Sequence, residues 1–92
     1  MLKQTIEKIL EQYKKVQAIR KQIFCELNTA KIEYLKSSFV FGSDNNLTVI
    51  AHKRFEELYN KYTHVADTEA KIAMHLIKLQ KIELNLLKEE LK

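Results

Sequence analysis

The chain has no proline, no tryptophan, one glycine and one cysteine in 92 residues. Without proline or further glycine, a sheet protein with many tight turns is excluded, and so is a proline- or glycine-rich disordered tract. A lone cysteine, Cys25, cannot form an internal disulfide, so no disulfide framework holds the fold. No apolar run approaches the roughly 20 residues that span a membrane. The opening MLKQTIEKILEQYKK is charged in every turn and has no continuous apolar stretch, so it reads as helix and not as a secretory signal. Cytoplasmic residence is expected, or export within a complex without a cleavable signal peptide.

What is present is 46% apolar and 30% charged residues, dominated by Leu, Ile, Lys and Glu, the composition of long helices. Charge is uneven. Residues 1–36 hold eight Lys or Arg against four Glu, whereas residues 37–92 hold eight basic and eight acidic groups. The whole net charge of +4 therefore lies in the first segment.

That segment has a regular apolar seam: Leu2, Ile6, Ile9, Tyr13, Val16, Arg20, Ile23, Leu27, Ala30 and Tyr34. The steps alternate between four and three, the pattern of helices packed at a shallow angle. Leu10 and Phe24 widen the stripe on one side and Ile19 on the other. A helix over 2–37 is roughly 54 Å long and needs its stripe covered to be stable. The seam runs on to Ser37 and Phe41, so Phe41 is expected in the core, and Gly42 is expected to close the helix in a left-handed conformation. Ser43, Asp44, Asn45 and Asn46 supply turn chemistry and candidate N-caps.

The second segment begins on one stripe, Phe55, Leu58, Tyr62 and Val65. From Ala66 two adjacent stripes are apolar: Ile72, Leu76, Leu79 and Leu86, and beside them Ala66, Ala70, Ala73, Ile77, Leu84, Leu87 and Leu91. One antiparallel helix cannot cover a face that wide. An interruption at 63–67, with Asp67 capping a third helix from Thr68, is the alternative to a continuous helix.

The fold expected is all-α: one domain over 1–92, an antiparallel helical hairpin of two long helices at about 2–41 and 46–91, completing a four-helix bundle with another chain. The residues expected to bind that partner are Phe39, Ala66, Ala70, Ala73, Ile77, Leu84, Leu87 and Leu91. Phe39 enters because it lies opposite the seam, with no internal home.

Chemistry-bearing residues are sparse. His52, His64 and His75 are too widely spaced to share a metal within one helix. Cys25 lies opposite the seam with no base at hand, and Glu56–Glu57 and Glu89–Glu90 are sequence neighbours pointing in different directions. No enzyme, cofactor or metal is expected. The lysines at 8, 14, 15, 21 and 36 form a basic outer face on the first helix, with only two arginines in the chain and no exposed stacking aromatics beside them. They support a second reading, a small basic homodimeric nucleic-acid-binding or regulatory protein.

The outline of two long helices joined by an aromatic–glycine turn, Phe39-Val40-Phe41-Gly42, resembles the WXG family of type VII secretion substrates and the small helical partners of LXG toxins. The resemblance covers architecture over nearly the whole chain. It implies pairing in a four-helix bundle, with itself as a homodimer or with a paralogous small helical protein or the helical domain of a secreted toxin. The chain departs from the pattern in having no tryptophan and no spacer between Phe41 and Gly42. No Tyr or Phe is followed four residues later by an acid, the family's export signal. The role implied is an accessory adaptor or targeting chaperone that relies on another subunit for that signal.

Overall fold

A computed structural model describes residues 2–91. It consists of two helices, α1 (Leu2–Phe41) and α2 (Asn46–Glu90), and no strand among the described residues. They lie antiparallel and pack along their length, giving a rod of 71 × 16 × 14 Å. The helices have 40 and 45 residues, and packing of their apolar faces contributes more to holding them than propensity does, so mutual burial sustains both.

On α1 the expected seam faces inward. Ile6, Ile23, Leu27 and Ala30 are buried, and Leu2, Ile9, Tyr13, Val16, Arg20, Tyr34 and Ser37 are half-buried. On α2 a single ladder answers it from end to end. Thr48, Ala51, Phe55, Leu58, Tyr62, Val65, Glu69, Ile72, Leu76, Leu79 and Glu83 recur at three and four residues, and all are buried or half-buried. Register follows from named contacts: Arg20 meets Glu69, and Tyr34 meets Phe55 with ring centroids 6.4 Å apart. Phe24 leans on Tyr62 at 5.7 Å.

The reversal is built as its residues dictate. Gly42 adopts φ +84°, open to glycine without the Cβ clash that other residues meet there. Its N–H donates to the Ser38 carbonyl at 3.0 Å, and Asn45 N–H returns to the Gly42 carbonyl at 3.4 Å. Of the four candidate caps, Asn45 serves: its Oδ1 accepts from Leu47 N–H at 2.9 Å. This satisfies one of the free donors of the first turn of α2.

Two expectations are corrected. Phe41 is 51% exposed and is not core. One heptad beyond Tyr34–Phe55, the register sets Phe41 level with Thr48, in the first turn of α2, where no further element closes the end of the seam. The alternative of a third helix from Thr68 also falls, because α2 runs unbroken through 63–67. Asp67 sits mid-helix, paired with Lys71 at 3.1 Å. Thr63 and Thr68 satisfy their hydroxyls on carbonyls of the preceding turn, so polar side chains in this stretch do not break the helix.

Candidate protein-binding face

Because α1 covers only the ladder beginning at Thr48, the second apolar stripe of α2 turns away from it. On a helix the stripe lies about a quarter-turn from the ladder, which places it on the broad side of the hairpin. Ile77 is 51% exposed, and Leu84 and Leu87 are similarly open. Ala70 is exposed, Ala66 and Ala73 are half-buried, and Leu91 caps the helix end almost free of cover. Leu86, expected on the covered stripe, is half exposed near the end of the rod. From α1 the same broad side receives Leu10, half-buried, and Phe24, part of whose ring is open.

Phe39 is 93% exposed, as its place opposite the seam implies. Around it Leu35, Val40, Phe41, Leu47, Val49 and Ile50 are also exposed. A run of apolar residues this dense at one end of a small protein is unlike the scattered single residues of an ordinary surface.

Polar groups add little that could do chemistry. The His52 ring rests on Tyr34 at 4.9 Å and its Nε2 lies 3.4 Å from Glu56. His64 uses its carbonyl to accept the Thr68 hydroxyl, and Cys25 is exposed. No three of His, Cys, Asp or Glu come together to hold a metal among the described residues. The depressions on the surface are open ones between side chains, such as that bounded by Lys31, Tyr34, Leu35, His52 and Phe55. Among the described residues, no helix is long and apolar enough to cross a membrane. The lysines at 8, 14, 15, 21 and 36 are all exposed.

Sequence reasoning passed over one interaction. Arg20, written into the apolar seam by its spacing, donates from Nε to a carboxylate oxygen of Glu69 across the two helices. That hydrogen bond raises the guanidinium above its ordinary value; Tyr62 adds to the effect and partial burial opposes it. The available signal was that Arg20 and Glu69 both occupy inward ladder positions. Comparison of the chain with protein-family models, with curated proteins and with solved structures finds no match in any of the three.

Proposed function

We propose that this chain is a non-enzymatic helical adaptor or targeting chaperone that binds another protein through the uncovered stripe of α2 and the exposed turn. The observation that carries the reading is the stripe itself: Ile77, Leu84 and Leu87 stand half exposed among the described residues, on a face turned away from the ladder that α1 covers. Fully burying a side chain of this size contributes about 1.5–3 kcal/mol, so a helical partner laid along the stripe gains binding energy from several positions at once.

The resemblance to WXG hairpins and to the helical partners of LXG toxins supplies the class of partner. It is the helical domain of a secreted toxin, recognised in the cytoplasm and brought by this chain to a type VII secretion machine. Support comes from the hairpin outline and the aromatic–glycine turn, and the missing export signal suits an accessory subunit.

The test is co-purification from the native host, and co-expression with the helical N-terminal domain of any LXG toxin that the host encodes. Ile77→Asp is expected to abolish recovery of the partner while circular dichroism still reports a helical protein. Undiminished recovery with Ile77→Asp overturns the assignment of this face.

A further inference from the structure

The uncovered stripe of α2 is complementary to itself when turned end for end. Its positions step by four and three from 66 to 91. The three at one end are alanine, Ala66, Ala70 and Ala73, and the three at the other are leucine, Leu84, Leu87 and Leu91; Ile77 and Gln80 lie between them. Rotate a second α2 by half a turn about the level between Lys78 and Leu79. Ala66 then meets Leu91 of the second copy, Ala70 meets its Leu87, and Ala73 meets its Leu84. These six layers each hold one small and one large residue and so have equal volume, as close packing requires, while Ile77 meets Gln80 in the two central layers. The parallel arrangement lacks this property. It sets alanine on alanine at one end, leaving a gap, and leucine on leucine at the other, forcing the helices apart.

Charge selects the same arrangement. Asp67 and Lys88 border the stripe on the edge away from α1, and both are exposed. The half-turn brings each Asp67 to the Lys88 of the other copy. Asp67 already pairs with Lys71, but a carboxylate has lone pairs for both cations. The register set by Arg20–Glu69 and Tyr34–Phe55 carries the axis across to α1, where it passes between Leu10 and Glu11. There the exposed Glu7 faces Lys14 of the second copy. In parallel register Asp67 would face Asp67, and Lys88 would face Lys88.

The size is also sufficient. The paired segment is roughly 38 Å long and a hairpin is roughly 20 Å wide, so about 1,500 Å² is buried in total, within the range of stable interfaces.

We propose that a second copy of this chain occupies the stripe, in an antiparallel pair that overlaps only over the halves away from the turn. The two turns, each with its Phe39, then project at opposite ends of an assembly about 100 Å long, leaving them free for a heterologous partner. This proposal rests on the reading of the stripe as a contact surface; a heterologous partner that uses the same stripe binds by displacing the second copy.

Ala73→Cys combined with Leu84→Cys, in a Cys25→Ser background, tests it under mild oxidation. The two new thiols of one chain are 11 residues apart on one helix, roughly 16 Å, and cannot bridge within it. The expected result is a covalent dimer with the pair of cysteines and none with Ala73→Cys alone. Lys88→Asp is expected to weaken the wild-type dimer severalfold, and adding Asp67→Lys to restore it. Small-angle scattering should give the long, half-overlapped dimension and not the 71 Å of two fully overlapped hairpins. Equal cross-linking by Ala73→Cys alone, or full overlap in scattering, overturns the register. A wild-type monomer at high micromolar concentration overturns the second copy altogether. It leaves the adaptor reading to be judged by the loss of partner in Ile77→Asp. A cross-linked dimer whose native-host partners survive Ile77→Asp supports this proposal and removes that reading.

Discussion

Arg20 on α1 and Glu69 on α2 join through a charged hydrogen bond in the middle of an otherwise apolar seam. Neighbouring layers are Tyr13, Val16, Ile23 and Leu27 on one helix and Val65, Ile72 and Leu76 on the other. Removing one member leaves the other partly desolvated without its partner, which costs more than the pair was contributing. Replacing both with apolar groups removes both desolvation penalties. Arg20→Leu and Glu69→Leu are each expected to lower Tm, and the double variant to melt at or above wild type. Thermal denaturation of the four proteins decides it. A double variant that is the sum of two losses would show that the pair contributes nothing through its coupling.

Much of the hairpin was legible because helix packing has a period and the period survives in one chain's sequence. The four–three seam of α1, the reversal at Gly42 and the surplus stripe of α2 all follow from spacing alone. What depends on the level at which two distant residues meet was not legible. Arg20 stood in the seam with no partner assigned, because Glu69 is 49 residues away. Phe41 was read as core because its spacing continued the seam; it lies level with the first turn of α2, where no further element closes the end. Thr48 was unremarked because a threonine in a first helical turn ordinarily faces water. Of the candidate site, the stripe and Phe39 were found by sequence, since an apolar residue with no inward position has to be either strained or exposed.

Thr48 is 2% exposed and its Oγ1 has no hydrogen-bond partner among the described residues. An unsatisfied buried hydroxyl costs about 1–3 kcal/mol, and a methyl of the same shape removes that cost. Thr48→Val retains the β-branch and fills the same space. It is expected to stabilise the hairpin by about 1 kcal/mol, raising Tm by about 4–8 °C for a domain of this size. Thr48→Ser keeps the hydroxyl and loses the methyl, so it should melt below wild type. If the valine variant also melts lower, the hydroxyl has a partner that stabilises the fold.

Gly42 holds φ +84°, yet a Cβ built there meets nothing within 4 Å. The penalty for a side chain is therefore conformational and not steric crowding by neighbours. Gly42→Ala is expected to cost about 1–2 kcal/mol, the left-handed penalty of an ordinary residue. Gly42→Asn should cost less, since asparagine visits that region more readily. Urea denaturation reads both, with an unchanged m-value showing that unfolding exposes the same surface in the variants as in wild type. Equal losses in the two variants would place the cost elsewhere than in the backbone angle.

Phe39 separates binding from folding. The residue is 93% exposed and its ring has no neighbour among the described aromatic contacts, so truncation removes almost no buried surface. Phe39→Ser is expected to leave the stability within the small range of surface substitutions, about ±0.5 kcal/mol. It should also leave the self-association of the α2 stripe unchanged, because the turn lies beyond the overlapping halves. Its effect should fall on the heterologous partner alone, where the loss of one well-buried aromatic anchor typically weakens binding by about 2 kcal/mol or more. Isothermal titration of the partner's helical domain into Phe39→Ser measures that loss, with light scattering on the same sample reporting the oligomeric state. Unchanged partner affinity would remove the turn from the interface and leave the apolar stripe of α2 as the binding surface.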